Sequence, residues 1–215
     1  MAERASSGRG GLLAWVALLL CLSCGNVEKA GDTAQEGGSR SSGGSASSAT
    51  EQPTAECAAY CDKVMAVCTG EHAVYTSNAA CLALCALLEP GDFGEPGGNT
   101  VACRRFFALE AEREPEEFCS AAGPGGNGRC GTDCETYCAL YPRICPAEAE
   151  AQGTQRCIEQ CEALVDQPGF DVVADHGGDT LECRLVHLTS ATLHPAEHCQ
   201  HAQLAPTQPW CVAEP

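Results

Sequence analysis

The side chains in this chain that can do chemistry are its cysteines and histidines, and both follow a pattern. Sixteen of the eighteen cysteines fall into two rows of eight. Cys57, Cys61, Cys68, Cys81, Cys85, Cys103, Cys119 and Cys130 are separated by 3, 6, 12, 3, 17, 15 and 10 residues. Cys134, Cys138, Cys145, Cys157, Cys161, Cys183, Cys199 and Cys211 are separated by 3, 6, 11, 3, 21, 15 and 11. Matching rows of this kind mark a tandem duplication of one small module, each copy closed by four disulfides. The histidines break the symmetry. His187, His194, His198 and His201 belong to the second copy, where the first has Phe107, Glu114, Phe118 and Ala121. Three or four converging imidazoles can hold Zn²⁺ or Cu²⁺. The competing reading is that these are half-buried packing positions, filled by phenyl rings in one copy and imidazoles in the other.

Helices must position these groups. Each copy opens on Cys-x-x-Tyr-Cys, with Tyr60 and Tyr137, and repeats Cys-x3-Cys at Cys81/Cys85 and Cys157/Cys161. Cysteines four apart share one helical face, so two such helices lying antiparallel can cross-link rung by rung. This predicts Cys57–Cys85, Cys61–Cys81, Cys134–Cys161 and Cys138–Cys157. The spacing is similar to that of twin Cys-x3-Cys hairpins in intermembrane-space chaperones, and only the hairpin geometry carries over from that likeness. A third helix is expected to start at Gly-Gly-Asn-Thr (97–100) and Gly-Gly-Asp-Thr (177–180), with Asp179 and Glu182 at capping-box spacing. A fourth, short helix should start at Pro115 and Pro195. We expect the remaining pairs to be Cys68–Cys103, Cys119–Cys130, Cys145–Cys183 and Cys199–Cys211. Arg104 and Arg184 are expected to pair with acids of their own copy. The fold class that follows is mainly α: two tandem disulfide-rich helical modules, each a stapled hairpin plus further short helices.

The chain begins with a basic region at Arg4 and Arg9 and an apolar run from Gly11 to Leu20. Ten apolar residues are too few to span a bilayer, so residues 1–23 read as a signal peptide. Leu20-Cys21-Leu22-Ser23-Cys24-Gly25 resembles a lipobox, which makes Cys24 the lipidation site of a lipoprotein. Cysteine parity agrees: with Cys21 removed and Cys24 acylated, sixteen remain for eight pairs. Cleavage by an ordinary signal peptidase, giving a secreted protein, is the alternative. Residues 24–54 are rich in Gly, Ser, Ala and Thr and read as a tether, with an r.m.s. reach of roughly 30 Å. Repeat 1 then covers 55–130 and repeat 2 covers 131–215.

Without residues 1–23 the chain carries 10 basic and 28 acidic groups. So acidic a surface, with no Lys/Arg cluster, argues against nucleic acid as a partner. The acidic loop from Asp166 to Asp179 lacks EF-hand spacing and reads as a connector rather than a Ca²⁺ site.

On these residues the pattern resembles a family of uncharacterised cysteine-rich lipoproteins of myxobacterial type. Its members carry Cys-x3-Cys modules with Gly-[Asn/Asp]-Thr-x-x-Cys-Arg and a His-Cys-Pro-His segment. The matching stretches here are Gly178 to Arg184, followed by His187, and His198-Cys199-Gln200-His201. Gln200 stands for the family's Pro, Val186 for its aromatic residue, and the first copy lacks the histidines. The family implies no activity.

Outside the signal there is no Cys-x-x-Cys, no haem-attachment motif, no Gly-x-Ser-x-Gly and no phosphate loop. The expectation is therefore a non-enzymatic, lipid-anchored binding or interaction module of the cell envelope, on the periplasmic or surface face of an outer membrane. The membrane is engaged through the N-terminal lipid, with a protein or glycan as further partner and no resident cofactor. The alternatives are metal capture or a redox-metal role, with Zn or Cu at the second-copy histidines, and a disulfide-exchange or chaperone-like protein.

Overall fold

Eight cystines and ten short helical segments build the described part of this chain. The computed structural model describes residues 54–153, 156–167, 169–206 and 209–212. The chain divides into two units, Met1–Ser48 and Ala49–Pro215, and the described residues all lie in the second. The signal peptide, Cys24 and all of the tether except Thr54 lie outside them.

Repeat 1 contains α1 (Ala55–Val67), a 3-10 turn (Gly70–His72), α2 (Asn78–Cys85), α3 (Val101–Glu110) and α4 (Pro115–Ala122). Repeat 2 contains α5 (Asp133–Ile144), α6 (Pro146–Gln152), α7 (Cys157–Glu162), α8 (Leu181–Ala191) and α9 (Pro195–His198). Among the described residues there is no strand, only isolated bridges at Glu89–Thr100 and Val165–Thr180. These bridges occupy equivalent places, where each long loop returns to start α3 or α8.

The helix starts are local chemistry. Thr54, Ser77, Thr100 and Thr180 each accept a hydrogen bond from the backbone N–H three residues on, satisfying a donor that the helix cannot pair. Thr132 and Glu135 form a full capping box at α5. Pro115 and Pro195 occupy first-turn positions of α4 and α9. The box expected between Asp179 and Glu182 does not form. Thr180 is the cap, Asp179 pairs with Arg184, and Glu182 instead accepts from the Gln167 N–H.

The hairpin rungs are Cys57–Cys85 with Cys61–Cys81, and Cys134–Cys161 with Cys138–Cys157. The other four expected pairs are wrong. Cys68 joins Cys119 rather than Cys103, and Cys103 joins Cys130. Cys145 joins Cys199 rather than Cys183, and Cys183 joins Cys211. The reason is the direction of packing. The Lys63–Glu112 ion pair sets the end of α1 beside the end of α3. Cys103 lies in the first turn of α3, about 10 Å back from the helix end. A disulfide needs Cα atoms roughly 4.4–6.8 Å apart, so Cys68 meets the following helix, α4, at Cys119. Cys103 is left to hold the loop that leaves α4.

Two buried side chains fasten that loop in each repeat. The Tyr60 hydroxyl donates to Ala122 O, and Tyr137 donates to Ala202 O at 2.6 Å. Arg104 donates to the carbonyls of Thr100, Gly123 and Pro124, while Arg184 donates to those of Thr180, Gln203 and Leu204. Arg184 also pairs with Asp179 at 2.6 Å, as expected of it. Among the described residues Arg104 pairs with no carboxylate: fully buried, it spends its donors on carbonyls and on Thr136 Oγ1 of repeat 2.

That last bond belongs to a shared interface. Arg143 donates to Leu87 O, the Val172 N–H to Ala73 O, and the Phe170 N–H to Ser120 Oγ. Gly125 is needed there, because a Cβ on it would stand 2.2 Å from Asp133 Oδ1 and 3.1 Å from Leu185 Cδ1. The two repeats therefore share one core.

Candidate metal centre

Repeat 2 uses its stapled helices to bring three imidazoles together. His187 lies on α8, four residues after Cys183, so it sits one turn along the face that the Cys183–Cys211 disulfide anchors. His198 ends α9, and Cys199 beside it is tied to Cys145 at the end of α5. His201 follows in the turn after α9, where its N–H bonds back to His198 O. Each of the three histidines thus stands within four residues of a disulfide cysteine.

The result is a compact triad. One nitrogen from each of His187, His198 and His201 lies within 4.8 Å of the others. His187 Nδ1 and His198 Nδ1 are 2.9 Å apart, a distance at which the pair shares one proton. Two nitrogens bound tetrahedrally to Zn²⁺ at ~2.0–2.1 Å stand about 3.3 Å apart, so exchanging that proton for a metal asks for only a few tenths of an ångström. His187 and His201 are buried, and His187 Nε2 and His201 Nδ1 form no hydrogen bond of proper geometry. Buried ring nitrogens without partners are uncommon and need either a ligand or a reason.

Electrostatics keeps these rings in the form that binds metal. Burial pushes His187 down to about 4, with His201 and His198 adding to the shift and the backbone of His176 opposing it. Burial also lowers His198 and His201. Neutral imidazoles offer lone pairs, so binding at neutral pH needs little proton release. Trp210 walls one side, its ring centroid 5.9 Å from His187 and 5.8 Å from His201.

His194, the fourth histidine singled out in the sequence, is not in the triad. It precedes α9, is exposed, and its ring lies 6.5 Å from that of His198. His176 was not singled out, yet its ring stands edge-on to His187 at 6.2 Å. The signal that would have found it is the repeat alignment, in which His176 takes the place of Pro96 just before the paired glycines.

The equivalent positions in repeat 1 show what the scaffold does without histidine. Phe107 and Phe118 stack there at 5.8 Å, and Arg129 lies over both rings. Two further groups of close donors pair cysteines with His187 and with Glu148. Their sulfurs are tied up in disulfides and supply no thiolate. In the loop after α7, Asp171 accepts from the Val173 N–H and Asp175 from the Asp171 N–H, so these carboxylates close a turn, as a connector would.

Residues 27–133 match the family model described as the BfoA family C-terminal domain. The match spans the stretch before repeat 1, the whole of repeat 1 and the start of α5, and fits a cysteine-rich family. It stops well short of the second-repeat histidines. No curated protein and no solved structure matches this chain. No helix among the described residues is long and apolar enough to cross a membrane.

Proposed function

We propose that this protein is a non-enzymatic binding module of the cell envelope, tethered by a lipid at Cys24, whose ligand is a Zn²⁺- or Cu²⁺-class ion held by His187, His198 and His201. One observation carries the reading: one nitrogen from each of three imidazoles lies within 4.8 Å of the others, and burial holds all three rings toward their neutral form. An acidic chain also draws cations toward itself. The lipobox-like Leu20-to-Gly25 stretch and the Gly/Ser-rich residues after it support the tether. The metal's part is to be held; the protein's part is to keep the three rings neutral and fixed by disulfides on either side.

The test is metal titration of the oxidised full chain by calorimetry, with Zn²⁺ and Cu²⁺ in turn. One ion per chain is expected, bound at micromolar Kd or tighter. Replacing His187→Phe and His198→Phe together inserts the first-repeat residues, so the fold should survive while binding is lost. No binding by the wild type would favour the packing reading, which the stacked Phe107–Phe118 pair supports. The chain would then be an interaction module for a protein or glycan.

A further inference from the structure

We propose that His176 is the fourth ligand of this site, closing the three-histidine cluster into an all-imidazole cage. The inference rests on the metal reading above and adds what that reading lacks: whether the ion keeps a position open to solvent. Three protein ligands leave one tetrahedral position for water, the arrangement of reactive zinc sites, whereas four make a closed holding site.

The geometry points to His176 for the vacancy. Its ring centroid is 6.2 Å from that of His187, the same separation as between His198 and His201 inside the triad. It is exposed and precedes two glycines. Gly178 has φ +82°, and a Cβ on Gly177 would meet nothing within 4 Å. The space beside Gly177 is open, so the backbone after His176 has room to adjust and bring the ring toward the ion. This loop belongs to the one segment in which repeat 2 is four residues longer than repeat 1, the Cys161–Cys183 gap of 21 against 17. Trp210 offers no acceptor lone pair, and His194 stands slightly farther off, its ring 6.5 Å from that of His198.

Cobalt(II) replaces zinc as a visible probe of coordination in the full, oxidised chain. With wild type, His176→Ala and His194→Ala, we expect His176→Ala alone to weaken Co²⁺ and Zn²⁺ binding at least tenfold and to change the visible spectrum. Azide should alter the spectrum of Co²⁺-loaded His176→Ala, whose fourth position is open, and leave wild type untouched. His176 is exposed, so the variant is expected to keep its helix content by circular dichroism. One-to-one binding by wild type with unchanged affinity in His176→Ala would overturn the proposal, as would an azide response in wild type. A tenfold loss in His194→Ala instead would assign the fourth position to that ring. Absence of any wild-type binding would overturn the metal reading itself, a result distinct from all of these.

Discussion

At the scale of single residues, the second repeat buries ionisable groups that the first does not. Glu182, where repeat 1 has Ala102, is buried on α8 with one oxygen accepting from Gln167 N–H and the other unpartnered. Burial raises it to about 7, and nearby Asp166 pushes the same way. A carboxyl whose folded pKa lies above its unfolded value holds its proton more tightly in the native state. Its contribution is complete below pH ~4.5 and is lost as pH rises through ~7. Replacing Glu182→Gln keeps the acceptor and removes the charge. Urea unfolding at pH 8 should show the variant about 1–2 kcal/mol more stable than wild type, after discounting for solvent screening, and the two should converge near pH 4.

Between elements, the disulfides decide which helix meets which. Cys68–Cys119 closes the widest gap in repeat 1, a sequence separation of 51. Loop-closure entropy for that length is worth about 4 kcal/mol, more than for the 20-residue separation of Cys61–Cys81. Proteolysis of the non-reduced protein followed by mass spectrometry should recover peptides joining Cys68 to Cys119 and Cys103 to Cys130. A Cys68–Cys103 peptide would contradict the packing of α1 against α3 and α4. Replacing both Cys68 and Cys119 by Ser should cost about 3–4 kcal/mol and loosen α4, while the α1–α2 hairpin keeps its own two rungs.

At the scale of the whole described region, the two repeats share one core. Arg104 of repeat 1 is buried with a donor on Thr136 of repeat 2, and the α2–α8 contact and three further hydrogen bonds cross the same boundary. Cutting the chain at the boundary would remove the Arg104–Thr136 bond and expose Leu185, and both a buried donor left without its acceptor and exposed apolar surface are costly. The full chain should therefore unfold in denaturant as a single transition by circular dichroism. Separately expressed repeat 1 should be less stable than the transition midpoint of the whole. Two independent transitions in the full chain would show that the interface contributes little.

The tandem organisation, the helical class and the hairpin rungs were legible in the residues. Cysteine spacing within one helix translates directly into a face, and a face four residues long can meet only a matching one. Helix starts at Thr100, Pro115, Thr180 and Pro195 are equally local, because a cap or a fixed φ acts within a single turn. The histidines of repeat 2 were visible as a departure from repeat 1, since the internal copy supplied the comparison. Tertiary structure alone decided what spans more than one helix. The cross-links of Cys68, Cys103, Cys119 and Cys130 depend on whether α1 and α3 run the same way. Arg104 takes a partner in the other repeat because the interface buries it there. His176 comes to stand edge-on to His187, though 11 residues before it in sequence, because the longer loop returns to the start of α8. Spacing along a chain reports neighbours one turn away; which faces meet across helices is set by how all of them fill one core.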